Sequence, residues 1–322
     1  MVEASSQAQR GSAGFSVLAH PKRALKAVAT NQIARFAPGL YVRLTGQTGR
    51  GAAAEEGASD IAQYFSECVE AYLSRLGVQP SDASSYLDGK TLLEYGPGDL
   101  PGVAALMVAR GASKVYCVDR FPLVQLSDKN AQVMRDLMQR CSASERARLA
   151  SCLRQPSNPA SGFAPERIEY LVRPSGLSGM REQVDMVFSR AVLEHVDDLH
   201  ATFHDMVAAL KPGGLAIHQV DLRSHGLHKH NPLDFLAWSP AAWRWMYSAK
   251  GVPNRWRVDT YRRIVGALDV EVQQLEPTAL APAEQICSVR PLLAAPFQGI
   301  SDDDLACLGF WLVFRKPVQG RA

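Results

Sequence analysis

The sequence lacks any pattern that would tie its cysteines to a zinc ribbon or to a redox pair. Such sites usually contain cysteines at C-x-x-C spacing. The six cysteines of this chain are scattered over 322 residues, and no two of them have that spacing. Cys117 lies in the apolar run VYCVD, where a reduced thiol packs as a small hydrophobic side chain. The pattern predicts free thiols and a reducing compartment.

Long apolar runs are missing as well. No stretch approaches the roughly 20 apolar residues that span a bilayer. The first residues, MVEASSQAQRGSAGF, lack the apolar centre of a secretory signal peptide. A hydrophobic content of 47% still allows a sizeable core. We therefore expect a soluble, cytoplasmic protein with no transmembrane segment.

The chain also lacks a strong charge of either sign. Its formal net charge of +3 argues neither for nor against nucleic acid. Part of the basic excess lies near the N-terminus, at Arg10, Lys22, Arg23, Lys26, Arg35, Arg43 and Arg50. Charged residues at 21% and ordinary glycine and proline levels exclude a mainly disordered, collagen-like or coiled-coil chain.

The chain divides by composition into an arm and a larger domain. Residues 1–59 form an N-terminal arm and linker, with a basic, partly amphipathic stretch at 21–44 and a loop of small residues at 45–59. The arm is expected as a solvated helical segment over the core, with contact to an anionic membrane surface as the alternative. Residues 60–322 form the second domain, which begins with a helix at 60–77.

Strands and helices alternate through the second domain. Predicted strands lie at 91–95, 114–119, 168–172, 184–189 and 215–222, and helices at 101–111, 127–141 and 190–210. Residues 142–165 read as a polar connection, and KPGG before the fifth strand as a turn. A helix at 258–269 and strands at 270–276 and 309–317 follow. Such alternation predicts an α/β fold with a doubly wound, mostly parallel sheet covered on both faces.

An insertion interrupts the alternation at about 222–257. It holds four of the five tryptophans: Trp238, Trp243, Trp245 and Trp256. Its position after the fifth strand predicts a lid over the carboxyl ends of the strands, with an aromatic wall for a substrate. A self-packed subdomain or a dimer surface is the alternative.

A glycine turn follows the first predicted strand. In LEYGPGD (93–99), Gly96 and Gly98 permit a tight turn and close approach of a ligand to the backbone, before a helix N-terminus. The dinucleotide fingerprint G-x-G-x-x-G is not matched because Pro101 occupies the third glycine position. Asp119 ends the second strand, where a carboxylate can accept hydrogen bonds from ribose hydroxyls.

Residues 90–221 resemble the core of class I S-adenosylmethionine (SAM)-dependent methyltransferases. The resemblance rests on E-x-G-x-G at the glycine turn, the acidic end of the second strand, D-x-V-x-S with LEHV after the fourth strand, and LKPGG before the fifth. Leu100 stands where many members have a further glycine. The resemblance implies a Rossmann-like fold, an enzyme that transfers methyl groups, and SAM as cofactor.

The resemblance also implies a set of cofactor-binding residues. They are Glu94, Gly96, Pro97, Gly98, Asp119, Arg120, Ser189, Arg190 and His195. Glu94 has the alternative of accepting hydrogen bonds within the glycine loop, and Asp119 that of capping a helix. His195 has the alternative of a capping or packing histidine.

The candidate catalytic residues are His218, Asp221 and His225, in a histidine-rich stretch after the fifth strand. Histidine titrates near neutral pH and suits removal of a proton from a methyl acceptor. On a strand His218 and Asp221 point to opposite faces. A metal held by His225, His228 and His230 is a less favoured alternative, as is an exposed polar loop.

The acceptor is predicted to be a small molecule such as a natural product, a sugar or a related metabolite. After the fourth strand the chain lacks the N-P-P-Y motif of base methyltransferases, and it has no Pro-Cys nucleophile. Nucleic acid is therefore not expected as a partner, and a homodimer is left open. The alternatives are a metal-assisted C-methyltransferase of a 2-oxo acid, an inactive methyltransferase-like binding subunit, and a nucleotide-dependent oxidoreductase.

Overall fold

The computed structural model of the protein describes residues 21–45, 56–225, 231–250 and 252–318. The helices are α1 (Pro21–Phe36), α2 (Pro38–Thr45), α3 (Ala58–Arg75), α4 (Ala83–Leu87), α5 (Gly102–Ala109), α6 (Asp128–Arg140), α7 (Ala143–Ala150), α8 (Leu199–Ala209), α9 (Pro240–Tyr247), α10 (Val258–Gly266), α11 (Ala283–Val289) and α12 (Asp302–Ala306). The strands are β1 (Thr91–Tyr95), β2 (Lys114–Asp119), β3 (Ile168–Val172), β4 (Val184–Arg190), β5 (Leu210–Asp221), β6 (Glu271–Leu280) and β7 (Cys307–Arg315).

The strands form one sheet in the order β3-β2-β1-β4-β5-β7-β6. Strands β1 to β5 pair in parallel, and β7 runs antiparallel to both of its neighbours. The chain builds outward from β1 to β3 and then restarts on the other side of β1 with β4. The strand order therefore reverses between β1 and β4, and open α/β sheets bind ligands at the carboxyl ends of such strands. The predicted doubly wound, mostly parallel sheet is confirmed.

Alternating side chains bury both faces of the sheet. Leu92 packs on the side covered by α3, α5, α6 and α7, whereas the next residue, Leu93, packs on the side covered by α8 and α10. This period of two is what a strand imposes on a sheet that carries helices on both faces. The two apolar layers hold the carboxyl ends of β1 and β4 in a fixed relation.

A third apolar cluster joins the N-terminal helix to the inserted segment. Ala27 of α1 packs with Trp243 and Met246 of α9, and Ile286 of α11 belongs to the same cluster. The side chain of Asn31 donates to the carbonyl of Trp245 at 3.0 Å and accepts from the amide of Ala249 at 2.9 Å. Among the helices that the structure describes, none has the length and apolar character needed to cross a membrane.

The predicted helix at 190–210 is wrong over its first nine residues. Ala191 has φ of +53°, a left-handed conformation that a right-handed helix cannot include. A single 3₁₀ turn at Leu193–His195 follows. Helix α8 begins only after Asp198, whose carboxylate accepts from the amide of Ala201 at 2.9 Å and caps the helix.

Two further predictions needed correction. Residues 142–165 contain helix α7, because Ser142 and Glu145 form a reciprocal capping box at its start. KPGG is a bulge within β5 and not a turn that precedes it: β5 begins at Leu210, its pairing with β4 shifts from Val184–Leu210 to Met186–Leu215, and Gly213 has φ of +77°.

Candidate active site

One cavity of about 440 Å³ lies over the carboxyl ends of β1 and β2. Gly96 and Asp119 line it from these strands, and His195 and His225 from the loops that follow β4 and β5. Lys250, from the inserted segment, also lines it. A cavity of this volume is in the usual range for small-molecule sites.

The glycine turn forms the floor of the cavity. Gly96 and Gly98 have φ of +66° and +74°, which side chains other than glycine rarely adopt. The amide of Gly96 donates to the carbonyl of Val118 at 2.8 Å, which fixes the turn against β2. A Cβ atom at Gly96 would lie 2.5 Å from Cγ2 of Val192. Glycine is therefore required here both by backbone conformation and by space.

Asp119 places a carboxylate at the end of β2, beside the glycine turn. Its Oδ1 accepts from the amide of Phe121 at 3.1 Å. Burial raises the pKa of Asp119 to about 6, although nearby backbone amides and Arg120 oppose the shift. Arg120 also lines the cavity and forms an ion pair with Asp197 at 2.8 Å. The carboxylate is thus held in one orientation by the chain itself.

Four of the nine predicted cofactor-binding residues lie outside the cavity lining, and two of them, Glu94 and Pro97, belong to the glycine turn or the strand before it. Glu94 is buried beneath the glycine turn, where the Sγ atom of Cys117 lies 3.7 Å from its Oε2. Burial raises the pKa of Glu94 to about 8, and a hydrogen bond from the Ala104 amide opposes the shift. This position favours the structural alternative for Glu94. Pro97 connects the two lining glycines without itself lining the cavity.

Ser189, Arg190 and His218 are also absent from the cavity lining. Ser189 is buried, with its hydroxyl 2.8 Å from Nδ1 of His218. The Arg190 guanidinium lies over the ring of Tyr64, 5.5 Å from its centroid. His218 is fully buried beside Phe203 and Phe314. The geometry does not bring these three residues to the cavity.

His218 has no hydrogen-bond partner at Nε2 among the described residues. Burial lowers its pKa to about 3, so the imidazole is neutral in the folded protein. A histidine enclosed in this way cannot exchange protons with a ligand in the cavity. The structure therefore argues against the predicted catalytic role of His218.

Replacing His218 with glutamine should reduce the sensitivity of the fold to acid. The unfolded histidine titrates near pH 6.5, whereas the folded one does so near pH 3. As the pH falls through this window, only the unfolded state gains the proton, so wild-type stability falls by about 1.4 kcal/mol per pH unit. Urea unfolding at pH 7, 6 and 5 should show a smaller slope for His218→Gln.

The exposed His204 supplies the control for this measurement. His204→Gln should keep the wild-type slope of unfolding free energy against pH. Equal slopes for His218→Gln and wild type would contradict the prediction.

His195 and His225 line the cavity side by side, and Asp221 lies next to His225. The rings of His195 and His225 lie 4.8 Å apart between centroids. Asp221 stands behind His225, with Oδ2 3.6 Å from its Nε2, and does not itself line the cavity. Ion pairing with Arg223 and hydrogen bonds from His225 and Arg223 outweigh partial burial, so the pKa of Asp221 lies well below its usual value.

Glu194 completes this group and was not predicted. Its side chain is 1% exposed, and burial raises its pKa well above the usual value. The backbone amides of Glu194 and Asp221 offset this in part, but neither carboxylate oxygen makes a hydrogen bond of normal geometry among the described residues. The adjacent position of Glu194 in LEHV was the only sequence signal.

Several other residues that line the cavity were also missed. Tyr41 reaches it from α2, and Lys250, Val252 and Pro253 from the inserted segment. Tyr41 is far from the other three in sequence and none of them belongs to a motif, so only the packing of the arm on the insertion brings them together. His228 and His230, of the alternative metal set, lie outside the described residues.

The sequence model of a methyltransferase-domain family matches residues 63–275, which is more than half of the chain. The chain belongs to this family of SAM-dependent methyltransferases. No curated protein sequence matches the methyltransferase.

Solved structures similar to this methyltransferase have low sequence identity. A SAM-dependent methyltransferase from Mesorhizobium loti is 16% identical, with TM-score 0.39, covering 71% of this chain and 92% of that one. One from Methanosarcina mazei is 14% identical, with TM-score 0.41, covering 75% and 99%. The magnesium protoporphyrin IX methyltransferase from Synechocystis PCC 6803, with bound S-adenosylhomocysteine, is 13% identical, with TM-score 0.41, covering 79% and 82%.

SAM is the cofactor of this methyltransferase, and the cavity has the donor set to hold it. The carboxylate of Asp119 can accept from the two ribose hydroxyls, and Gly96 and Gly98 line the cavity without side chains. Phe121 and Leu123 give an apolar wall beside Asp119. These residues fit a nucleoside with a vicinal diol.

Proposed function

We propose that this methyltransferase methylates a small molecule that carries an anionic group, bound between the glycine turn and the inserted segment. The observation that supports this most directly is Lys250. Its side chain lines the cavity, it is 7% exposed, and its only charge-related contact among the described residues is with the ring of Tyr247, 4.9 Å from the centroid. A buried ammonium without a carboxylate partner calls for an anion from the ligand.

The electrostatics of Lys250 agree with this interpretation. Burial lowers the pKa of Lys250 to about 8, and no carboxylate in the described part of the chain offsets the shift. An acceptor carboxylate or phosphate in the cavity would restore the charged ammonium and gain a charge-assisted hydrogen bond.

The lining residues of the cavity include groups of different chemistry, which supports a two-substrate site. The glycine turn and Asp119 suit the cofactor. We assign Tyr41 and Lys250 to the acceptor, so we propose that the arm (residues 1–59) and the lid (222–257) shape the acceptor site of the domain at 60–322. When bound, SAM supplies an electrophilic methyl group. A lone pair of the acceptor forms the new bond to the methyl carbon, and the electrons of the broken carbon–sulfur bond stay on sulfur.

The catalytic contribution of the chain is then chiefly proximity and orientation. Lys250 would fix the acceptor through its anionic group, while Asp119 fixes the ribose end of the cofactor. Of the predicted catalytic residues, His225 lines the cavity, and Oδ2 of Asp221 lies 3.6 Å from its Nε2. We retain His225 and Asp221 in the proposed site and omit His218.

Replacing Lys250 with methionine should raise the acceptor KM by about 10- to 100-fold. This is the expected loss of one charge-assisted hydrogen bond, about 1.5–3 kcal/mol. The affinity for SAM should be unchanged if Lys250 binds the acceptor, as we propose, and not the cofactor. Methyl-labelled SAM and a panel of small carboxylic acids and phosphates, each beside its uncharged ester, would identify an acceptor and give both KM values.

Lys26→Met is the matched control, because it removes the same charge from an exposed position of α1. It should leave KM unchanged. The uncharged esters should be insensitive to Lys250→Met. Transfer of the label to RNA or protein but to no small molecule would contradict the proposal. So would the same KM for the anionic acceptor in Lys250→Met and the wild type.

A further inference from the structure

Three potential metal ligands meet at the carboxyl ends of two neighbouring strands. Glu194 and His195 follow β4, and His225 follows β5; one ligand atom from each lies within 4.8 Å of the others. The strands are paired through Ser189 and His218, so the sheet itself sets the distance between the two loops. The arrangement does not depend on one flexible segment.

Glu194 gives an independent indication that a cation belongs here. Its carboxylate is almost fully buried, yet neither oxygen has a hydrogen-bond partner of normal geometry in the described part of the chain. Leaving a buried polar group without a partner costs free energy, and buried carboxylates are ordinarily paired or bound to metal. Oε1 lies 3.9 Å from Nε2 of His195, which is within the same small space.

His225 is supported from behind as metal-bound histidines usually are. Oδ2 of Asp221 lies 3.6 Å from its Nε2, so a hydrogen bond there would leave the other ring nitrogen free for a metal. A carboxylate behind a histidine ligand fixes its tautomer and orientation. Both His195 and His225 line the cavity, whereas Glu194 is buried beneath them.

We propose that Glu194, His195 and His225 bind one divalent transition-metal ion, of the Fe²⁺, Co²⁺ or Zn²⁺ class. Two imidazoles and one carboxylate form a donor set typical of these ions, whereas Mg²⁺ and Ca²⁺ prefer oxygen ligands throughout. Because three protein ligands leave coordination positions open, the ion would present these to the cavity.

The metal site extends the proposed function. It rests on that function only for the identity of the small molecule that would bind at the open coordination positions. An acceptor held by Lys250 through its anionic group would reach the open positions with a second oxygen. The acceptor class is then a chelating anion, with one anionic group on Lys250 and an oxygen on the metal. The ligand set shares only His225 with the alternative considered from the sequence, which used His228 and His230.

Direct metal binding tests the site without any turnover. Protein produced without a histidine tag is stripped with EDTA, dialysed, and titrated with Co²⁺ by visible absorption and with Zn²⁺ by calorimetry. We expect one ion per chain. Glu194→Gln and His225→Gln should each weaken binding more than tenfold, and Asp221→Asn by about tenfold, as is usual for a residue behind a metal-bound histidine.

His204→Gln, which alters an exposed histidine elsewhere, should bind metal as the wild type does. Melting temperature and affinity for S-adenosylhomocysteine establish that each variant is folded. No stoichiometric ion in the wild type, or equal affinity in Glu194→Gln, would overturn the proposal. Loss of binding in His228→Gln/His230→Gln with full binding in Glu194→Gln would assign the metal to the loop instead.

The failure of this proposal is distinguishable from failure of the proposed function. A stripped protein that binds no metal but still methylates a carboxylated small molecule in a Lys250-dependent manner would reject only the metal site. Stoichiometric metal binding without any small-molecule acceptor would reject only the anionic acceptor.

Discussion

Replacing Gly96 with alanine should weaken SAM binding by about 100-fold. The new Cβ atom would lie 2.5 Å from Cγ2 and 3.0 Å from Cγ1 of Val192. Either Val192 moves into the cavity, which it lines, or the glycine turn moves away from it. Overpacking of this kind costs about 1–3 kcal/mol, and both responses change the surface that holds the cofactor. Calorimetric titration of SAM gives the affinity directly.

Gly179→Ala separates this effect from backbone strain. Gly179 has φ of +68°, close to the +66° of Gly96, but a Cβ atom added there would have no neighbour within 4 Å. Both variants should lose about 1–2 kcal/mol of unfolding free energy, because both force alanine into the left-handed region. Gly96→Ala should lose about 1–3 kcal/mol more through overpacking against Val192. Only Gly96→Ala should lose SAM affinity. Equal SAM binding by the two variants would remove the glycine turn from the cofactor site.

The fold was predictable because its signals are local and periodic. Short apolar runs separated by helical patterns indicate parallel strands with crossover helices, and the sheet confirms this. The helix predicted at 190–210 starts later than expected, and residue type alone does not indicate why. Ala191 favours helices, yet it takes φ of +53° where the chain leaves the sheet, and it lines the cavity there. Backbone strain of this kind often accompanies a functional site.

The convergence of Gly96, Gly98 and Asp119 on one cavity could be predicted, because one βα turn and the end of the next strand contain them. That Tyr41 and Lys250 line the same cavity could not, because they are separated by more than half of the chain. The packing of α1 on α9 around Asn31 brings the arm and the inserted segment together.

The strand period predicts that His218 and Val220 share one face, and both lie on the side of the sheet covered by α8 and α10. It does not show which residues line the cavity. Only residues at or beyond the end of a parallel strand reach the ligand crevice. His218 is three residues inside the end of β5, whereas His225 lies beyond it.

Replacing Asp119 with alanine should weaken SAM binding on the order of 100-fold at pH 8. A carboxylate that accepts from both ribose hydroxyls contributes charge-assisted hydrogen bonds, each about 1.5–3 kcal/mol. The loss of one or both is consistent with this magnitude. Asp119→Asn keeps the size of the side chain and removes its charge, so it should fall between the wild type and Asp119→Ala.

The affinity of the wild type for SAM should also fall in acid, and Asp119 should be the reason. Its pKa of about 6, raised by burial, lies above the value near 3.9 of an unfolded aspartate. The protonated carboxyl therefore stabilises the fold below pH 4, and this contribution is lost as the pH rises through 6. Binding has the opposite dependence, because only the ionised form accepts both hydroxyls. At pH 5 about a tenth of the protein is competent, so the apparent affinity should be about tenfold lower than at pH 8. Asp119→Asn, which cannot titrate, should show a flat and weaker affinity between pH 8 and 5. A parallel fall in Asp119→Asn and wild type would place the titrating group elsewhere.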